Sequence, residues 1–192
     1  TCSPAATSNA ATLSVGNAAA ITTNPVSTAV CVGDNASFTV VATGSSLTYQ
    51  WQVSTTSVPT FTNITGATSA TLNLPVVSAS QNTNKYRVVI FSCSPTGINS
   101  APATLTVNNP VAIQTQPQSI TLCEVENTTL SVAATGTGLT YQWQISTDGG
   151  TNFSNVTGAT AATLDLMAVT PAMNGNQYRV VLTGTCNPGG VN

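Results

Sequence analysis

The chain has 192 residues with only three basic and five acidic side chains, and it contains no histidine. Charged residues make up 4% of it, whereas an ordinary soluble domain has about 25%. Three cations are too few to neutralise a run of phosphates, which excludes nucleic-acid binding. Without histidine, neither histidine-based acid–base catalysis nor the commonest zinc sites can form. No apolar stretch approaches the roughly 20 residues of a membrane-spanning helix, so no membrane insertion is expected.

The composition predicts an all-β protein. Threonine, serine, asparagine, alanine and valine dominate the chain, while lysine, glutamate, arginine and methionine are nearly absent. β-branched residues favour strands, and the scarce residues are the strong helix formers. With 41% hydrophobic residues, the chain is too apolar for a disordered segment.

An internal repeat of about 92 residues organises the chain. The segment CVGDNASFTVVATG, which begins at Cys31, recurs as CEVENTTLSVAATG at Cys123, an offset of 92 residues. The same offset relates three further pairs of segments: 63–74 with 155–166, 84–90 with 176–182, and 8–15 with 100–107. The repeat therefore predicts three parts: residues 1–16 as the last strand of a preceding repeat, 17–108 as a complete repeat, and 109–192 as a repeat that lacks its last strand.

Within the complete repeat, alternating apolar residues separated by turn residues predict short strands. In chain order these strands cover residues 20–24, 27–31, 36–43, 47–54, 70–74, 85–91 and 103–107. Strand signals at this spacing are typical of a β-sandwich.

The pattern resembles an immunoglobulin-like (Ig-like) β-sandwich with Greek-key connections. Trp51 lies in strand 47–54 and Tyr86 opens strand 85–91, and Trp143 and Tyr178 repeat them; both aromatic positions recur in Ig cores. The resemblance implies that valines replace the usual inter-sheet cysteine pair, at Val40 and Val88 in one repeat and at Val132 and Val180 in the other. It also implies that each tyrosine hydroxyl bonds to the loop before it.

More closely, the segments LTYQWQ and GAT-ATL-L, with the residues around them, resemble tandem Ig-like repeats of long secreted bacterial proteins. These are surface adhesins and gliding or filament proteins of Bacteroidetes-type bacteria. The resemblance covers nearly the whole chain and implies an extracellular location, at the cell surface or in a surface filament. It implies neighbouring repeats or copies of the same protein as partners, with surface glycans or another cell-surface protein as further candidates. It implies no cofactor, because the known members share no catalytic residue.

Five cysteines are disulfide candidates in an extracellular protein: Cys2, Cys31, Cys93, Cys123 and Cys186. In an Ig-type sandwich, Cys31 and Cys93 fall at opposite poles, tens of Å apart, whereas a disulfide needs Cα atoms within about 7 Å. We therefore favour a bridge between repeats, Cys31–Cys186, with the other three cysteines pairing outside this segment. The alternative is a bridge within each repeat, Cys31–Cys93 and Cys123–Cys186.

The other polar positions are interpreted as structural. Asp34, Glu124 and Glu126 lie in turns, where a carboxylate accepts bonds from backbone amides; a calcium site is the weaker alternative. The sequence Asp148-Gly149-Gly150 predicts a tight turn. Arg87 and Arg179 are expected to stack and hydrogen-bond across strands, with recognition of an acidic sugar as the alternative. Phe61 and Phe153 are the aromatic residues outside the predicted core.

The sequence favours a structural function. The chain is predicted to be a repeat segment of an extracellular bacterial filament or adhesin stalk, acting as a semi-rigid spacer stabilised by contacts between repeats. The alternatives are a glycan- or protein-binding Ig-like module of an adhesin, and a fibre subunit that polymerises by donor-strand addition. An enzyme is not expected, because no histidine or lysine base accompanies a nucleophile and the carboxylates are scattered.

The second repeat is expected to have an open edge. Without its last strand, it should expose the edge of its strand 177–183 and the apolar face near Val180 and Leu182. We expect an ATLSV-type strand from outside residues 17–192 to cover this edge. It could belong to a longer continuous chain, which we favour here, or to residues 8–15 of another copy.

Overall fold

Short strands joined by turns run along nearly the whole chain, as the composition predicts. The computed structural model describes residue 5 and residues 7–191. Within these residues there are eighteen strands and two single-turn 3₁₀ helices, Ala79–Gln81 and Pro171–Met173. No helix among them is long and apolar enough to cross a membrane. The predicted all-β class is confirmed.

The first repeat forms an Ig-like sandwich from ten strands. They are β1 (Ala20–Thr23), β2 (Thr28–Cys31), β3 (Ala36–Thr39), β4 (Val41–Thr43), β5 (Thr48–Ser54), β6 (Thr62–Asn63), β7 (Thr71–Leu74), β8 (Lys85–Phe91), β9 (Ile98–Asn99) and β10 (Ala103–Asn108). One sheet has the order β2-β10-β8-β5-β6, with β9 also paired to β8. The pairs β1-β4 and β3-β7 form the other strands of the sandwich. Because β3 and β4 are interrupted at Val40, the predicted strand 36–43 is two strands in the structure.

The second repeat has the same design with fewer strands. They are β11 (Ala112–Thr115), β12 (Thr128–Ser131), β13 (Ala133–Thr135), β14 (Thr140–Ser146), β15 (Ser154–Asn155), β16 (Thr163–Leu166), β17 (Gln177–Gly184) and β18 (Asn187–Val191). The largest sheet has the order β15-β14-β17-β18. Among the described residues, no strand corresponds to β2 or β10 of the first repeat.

Each core is built around the tryptophan of its central strand. Trp51 and Trp143 have no exposed surface, and the four valines at the positions of the usual cysteine pair are at most 6% exposed. The second core also holds Val111, Leu164 and Leu182. Apolar packing therefore takes the place that an inter-sheet disulfide has in many Ig domains.

Two expectations, one about the second repeat and one about the core tyrosines, are wrong. Val180 is 3% exposed and Leu182 is fully buried, so the apolar face near them is covered. Both side chains pack in the second core with Val111, Trp143 and Leu164, and β18 covers part of the β17 edge by pairing Val191 with Leu182. In addition, the hydroxyls of Tyr86 and Tyr178 form no hydrogen bond within the described part of the chain. The Tyr86 ring instead stacks on Phe38, with ring centroids 5.0 Å apart.

The compact units of the chain do not coincide with the sequence repeats. One unit contains residues up to Ser27 together with Ser37–Asn73 and Asn84–Thr104. The other contains Thr28–Ala36, Leu74–Thr83 and the chain from Leu105 onward. Three segments of the first repeat, including β2 with Cys31, thus share a unit with the second repeat.

Candidate functional site

A disulfide joins the two sequence repeats. Cys31 at the end of β2 is bonded to Cys186 in the turn between β17 and β18, with Cα atoms 5.8 Å apart and 155 residues between them in sequence. This is the pairing that the pole geometry favours, and it rules out the pairs Cys31–Cys93 and Cys123–Cys186 within repeats. Because the two cysteines come from different repeats, the bond constrains the chain far beyond either sandwich.

Local backbone pairing holds Cys31 in place for this bond. In the parallel pairing of β2 with β10, Cys31 lies opposite Asn108. The Sγ atom of Cys186 lies 3.5 Å from the carbonyl oxygen of the same Asn108. Asp34 then closes the turn after β2, because its Oδ2 accepts a bond from the Cys31 amide at 3.1 Å. The predicted turn role of Asp34 is therefore observed.

Two further cysteines are free thiols on the surface. Cys93 and Cys123 are both exposed and unbridged. The Cys93 thiol donates to the carbonyl oxygen of Asn17 at 3.4 Å. The Cys123 amide donates to Glu126 Oε2 at 2.7 Å, which repeats the turn around Asp34. Cys2 lies outside the described residues.

A buried tryptophan organises the loop before β7 in the first repeat. The indole Nε1 of Trp51 donates to the carbonyl oxygen of Ser69 at 2.9 Å. Its neighbour Gln50 uses its amide nitrogen to bond the carbonyl oxygens of Trp51 and Ile64. The second repeat contains the same bonds from Trp143 and Gln142. The repeated QWQ segment thus ties each central strand to its following loop.

An arginine stacks on a phenylalanine on the outer face of each sheet. The Arg87 guanidinium lies 4.1 Å from the centroid of the Phe61 ring, and its Nε donates to Gln52 Oε1 at 2.8 Å. Gln52 in turn donates to Asn63. Such cation–π contacts attract a guanidinium to an aromatic face. The predicted stacking of the arginine across strands is observed, although the sequence did not identify Phe61 as its partner.

The second repeat carries the same arginine cluster. Arg179 lies 4.0 Å from the Phe153 centroid and donates to Gln144, which donates to Asn155. In both repeats the arginine donor at Nε is therefore already bonded within the protein. The two phenylalanines outside the core are covered on one face by a cation instead of forming open aromatic platforms.

Asp148 caps the loop between β14 and β15. Its Oδ1 accepts bonds from the Ser146 hydroxyl at 2.7 Å and from the Asn152 amide at 2.9 Å. Hydrogen bonds from the Asn152 backbone, and then from the Ser146 side chain, lower the pKa of Asp148 from 3.8 to about 2. Gly149 and Gly150 have φ of 72° and 91°, as the tight turn requires. The Asp148 carboxylate thus makes its hydrogen bonds within its own loop.

The described residues contain no cluster of three or more histidine, cysteine, aspartate or glutamate side chains that could hold a metal ion. The polar side chains that lie close together in the structure form hydrogen-bond networks within the protein. Each network lies in one loop or on one face of a sheet. The covalent link between the two sequence repeats is the Cys31–Cys186 bond.

The sequence matches a family model twice in succession. A domain of unknown function, DUF8696, matches residues 5–109 and again residues 112–190. No curated protein matches the chain.

Solved structures of tandem Ig domains are similar in fold. The Rst D1-D2 structure has a TM-score of 0.66 at 14% identity, with 88% of this chain and 93% of that chain covered. The titin I-band fragment I67-I69 has a TM-score of 0.64 at 13% identity, covering 88% of this chain and 62% of the fragment. Sidekick-1 immunoglobulin domains 1–4 score 0.64 at 17% identity, covering 88% and 46%. The chain thus spans less than two thirds of the titin fragment, and these likenesses confirm the Ig-like tandem fold alone.

Proposed function

The chain belongs to the DUF8696 family, and we propose that it is a structural segment of an extracellular bacterial filament or adhesin stalk. In this proposal each repeat is a spacer, and contacts between repeats make the segment semi-rigid. The observation that carries the proposal is the Cys31–Cys186 bond. A binding module needs its own fold and its ligand contacts, whereas a covalent link between repeats serves a segment that carries load.

The position of the bond determines how the chain responds to tension. When the ends are pulled, force passes from Cys31 directly through the bond to Cys186 and bypasses the 155-residue separation between them. An extended chain spans about 3.3–3.6 Å per residue, so the bypassed length is roughly 500–560 Å. Both tryptophan cores lie inside this interval. The bond therefore prevents the segment between the two cysteines from extending under tension, even when both sandwiches unfold.

The same bond supports an extracellular location. Disulfides form and persist in oxidising compartments and are rare in the cytosol. Only 4% of the residues are charged, so the surface interacts mainly through hydroxyl and amide groups. Hydrogen bonds between uncharged groups respond little to salt. A spacer that works outside the cell gains from both properties.

The alternative of a glycan- or protein-binding module has less support. Its best candidates were the two arginines, which are partly buried in the structure, and the phenylalanines outside the core. Arg87 and Arg179 are each stacked on a phenylalanine and bonded to a glutamine of the same sheet. A ligand would have to displace these internal contacts, which costs the stacking and the hydrogen bond together.

Force spectroscopy tests the spacer proposal. The chain is tethered at both ends and extended in oxidising buffer and then with a reductant. We expect the reductant to add roughly 500 Å of extensible length. The variant Cys93→Ser/Cys123→Ser keeps the bond and serves as the control, so it should behave as the unmodified chain does. Equal extension with and without reductant would show that the bond carries no load, and the spacer proposal would fail.

A further inference from the structure

Five Asn-X-Ser/Thr sequons occur in the chain, at Asn35, Asn63, Asn127, Asn152 and Asn155. This tripeptide is the acceptor sequence for N-linked glycans in secreted proteins, and the first sugar bonds to the side-chain nitrogen of the asparagine. In a chain rich in asparagine and threonine the tripeptide also arises by chance, so the sequence alone does not distinguish acceptor sites from coincidence. The structure does distinguish them, because it places the five asparagines in three different surroundings.

The sequons of Asn63 and Asn155 lie at the end of an edge strand. Asn63 is the last residue of β6 and Asn155 is the last residue of β15, and each of these strands is the outermost one of its sheet. Both asparagines are exposed, and so are Thr65 and Thr157, the third residues of the two sequons. A turn begins at each of these threonines. The two groups that a transferase must reach, the asparagine amide and the hydroxyl, are therefore at the surface.

The amide of each of these two asparagines is held by its oxygen. Gln52 Nε2 donates to Asn63 Oδ1 at 2.9 Å, and Gln144 Nε2 donates to Asn155 Oδ1 at the same distance. The Nδ2 atoms make no hydrogen bond within the described part of the chain. A sugar would replace one N–H of Nδ2 and leave Oδ1 as the acceptor. The modification therefore breaks none of the observed bonds of this amide.

A phenylalanine lies beside each of these amides. Phe61 and Phe153 stand two positions before the asparagine, so both repeats contain the pattern Phe-X-Asn-X-Thr. In the first repeat Arg87 stacks on Phe61 and donates to Gln52, which donates to Asn63, so the ring and the amide belong to one surface cluster. The Phe61 ring stays partly exposed although the guanidinium covers one face. Its electron-rich face attracts the weakly positive C–H groups of a sugar ring, so a first sugar on Asn63 gains a packing partner.

The sequons of Asn35 and Asn127 are part of closed turns. Asn35 Oδ1 accepts a bond from the Val76 amide at 3.0 Å, and Asn127 Oδ1 accepts one from the Ala168 amide at 2.7 Å. Val76 and Ala168 have φ of 50° and 48°, a conformation that few side chains adopt. These two asparagines therefore fix the path of a second loop, which would have to shift if they moved to meet an enzyme.

The third residues of these two sequons lie inside paired strands. Ser37 belongs to β3, which pairs with β7, and Thr129 belongs to β12, which pairs with β16. The Thr129 hydroxyl also donates to Asp165 Oδ1 at 2.6 Å. A transferase binds all three residues of the sequon, so it could use these two only after the strand pair had opened locally.

The fifth sequon has an occupied amide nitrogen. Asn152 Nδ2 donates to Asp148 Oδ2 at 2.7 Å, and the Asn152 backbone amide donates to Asp148 Oδ1 at 2.9 Å. A sugar on this nitrogen would compete with the carboxylate that holds the loop. Asn152 is therefore the third kind of sequon, exposed but already bonded through the atom that would be modified.

We propose that Asn63 and Asn155 are N-glycosylation sites and that the co-substrate is an oligosaccharide carried on a lipid diphosphate. In the transfer, Nδ2 forms a bond to C1 of the first sugar while the bond between C1 and the diphosphate oxygen breaks. One Nδ2 proton passes to the solvent, the lipid diphosphate leaves with the electron pair of the broken bond, and no group is oxidised or reduced. The proposal rests on the extracellular location in the proposed function, because the sequon is used in secreted proteins.

Glycans at these positions shield the open edges of two sheets. β6 and β15 have a partner strand on one side only, and an unpaired strand edge is open to pairing with another chain. With 4% charged residues, the chain has little electrostatic repulsion to keep molecules apart. A bulky, hydrated glycan at the last residue of each edge strand supplies that separation without charge. The modification therefore keeps a spacer from associating edge to edge with its neighbours.

Peptide mass mapping of the chain isolated from the cells that produce it tests the proposal. We expect the peptides that contain Asn63 and Asn155 to carry sugar mass, and enzymatic release of the glycan to convert these two residues to aspartate. The other three asparagines are controls in the same chain and should be unmodified. Unmodified amides at both proposed sites, or equal occupancy of all five, would overturn the proposal. Neither result bears on the spacer function, which force extension tests through the disulfide.

Transfer in vitro separates the effect of the fold from that of the sequence. The folded, unmodified chain is incubated with a purified oligosaccharyltransferase and its lipid-linked oligosaccharide. We expect transfer to Asn63 to be at least about tenfold faster than to Asn35, because the sequon of Asn35 must first open locally. Peptides of residues 59–67 and 31–39 are the matched controls and, having no fold, should accept the glycan at similar rates. Equal rates in the folded chain, or the same preference in the peptides, would contradict the structural argument.

The variant Thr65→Val tests whether transfer depends on the sequon. It removes the exposed hydroxyl and leaves the bond from Gln52 to Asn63 in place, so transfer to Asn63 should be lost and transfer to Asn155 should be unchanged. Thr68→Val, at an exposed threonine outside the sequon, is the matched control and should accept the glycan at the normal rate. Transfer to Asn63 that survives in Thr65→Val would overturn the assignment of this site.

Discussion

Removing the Cys31–Cys186 bond should destabilise both sandwiches, and the structure gives the size of the effect. The perturbation is the double substitution Cys31→Ser/Cys186→Ser. A disulfide acts mainly by restricting the unfolded chain, so its contribution depends on the length of the loop that it closes. That length depends here on which domain has unfolded.

When only the second domain unfolds, the relevant loop is shorter than the sequence separation suggests. As long as the pairing of β2 with β10 stays formed, Cys31 remains opposite Asn108, so the unfolded segment runs from about residue 108 to Cys186. A loop of that length corresponds to about 4.5 kcal/mol at 25 °C in the chain-entropy model. When only the first domain unfolds, the loop from Cys31 to Asn108 has nearly the same length and gives the same estimate. With both unfolded, the 155-residue separation corresponds to about 5 kcal/mol in total.

The bond therefore stabilises mainly whichever domain unfolds before the other, and it adds only about 0.5 kcal/mol against unfolding of the remaining domain. The assay is urea unfolding followed by tryptophan fluorescence, in the variants Trp51→Phe and Trp143→Phe, so that each signal reports one domain. With a slope of about 1.5 kcal/mol per molar urea, removing the bond should lower the first midpoint by roughly 3 M. Cys93→Ser/Cys123→Ser is the control. An unchanged first midpoint in the serine variant would refute the loop argument.

Three further predictions concern single residues. Trp51→Ala should destabilise the first domain by about 3–5 kcal/mol and leave the Trp143 signal of the second domain folded, as two independent probes in one melt would show. The difference in unfolding free energy between the unmodified chain and Asp148→Asn should be constant above pH 4 and shrink as the pH falls from about 4 to about 2. The reason is that the pKa of Asp148 in the folded chain is about 2, below its ordinary value of 3.8, so protonation removes the stabilisation that the carboxylate provides. Urea midpoints across that pH range measure the difference. Gly136→Ala should cost about 1 kcal/mol or more in thermal melts, since φ is 148° and the added Cβ would lie 3.0 Å from Val111 Cα, while Gly189→Ala, with open space around it, should be neutral.

The strands and the cores could be predicted because the repeat supplies the same pattern twice. Alternating apolar residues around Trp51 and Trp143 leave one arrangement in which both tryptophans are buried, and a one-residue slip would expose every inward side chain. The break at Val40 was not predicted. The Val40 amide bonds to Ala70 O, so the residue still continues the ladder between its two strands, and no side chain signals the interruption.

The exposure of Val180 and Leu182 was mispredicted for a physical reason. The sequence after Cys186 is rich in glycine and asparagine and does not read as a strand, yet β18 pairs with β17 there. Pairing at that edge depends on the free backbone groups of β17 and not on the side chains that follow. In a similar way, the contact of Arg87 with Phe61 joins residues from different loops and strands, so no local spacing indicates it.

The two repeats allow a comparison of one sandwich that contains β10 with another in which no described residue occupies that position. The upper half of the second core does not depend on that strand, since Trp143 and Leu182 are fully buried. The lower half does: Tyr178 and Val169 are partly exposed, although their counterparts in the first repeat are buried. The strands that both repeats contain are therefore enough to bury the tryptophan at the centre of each core.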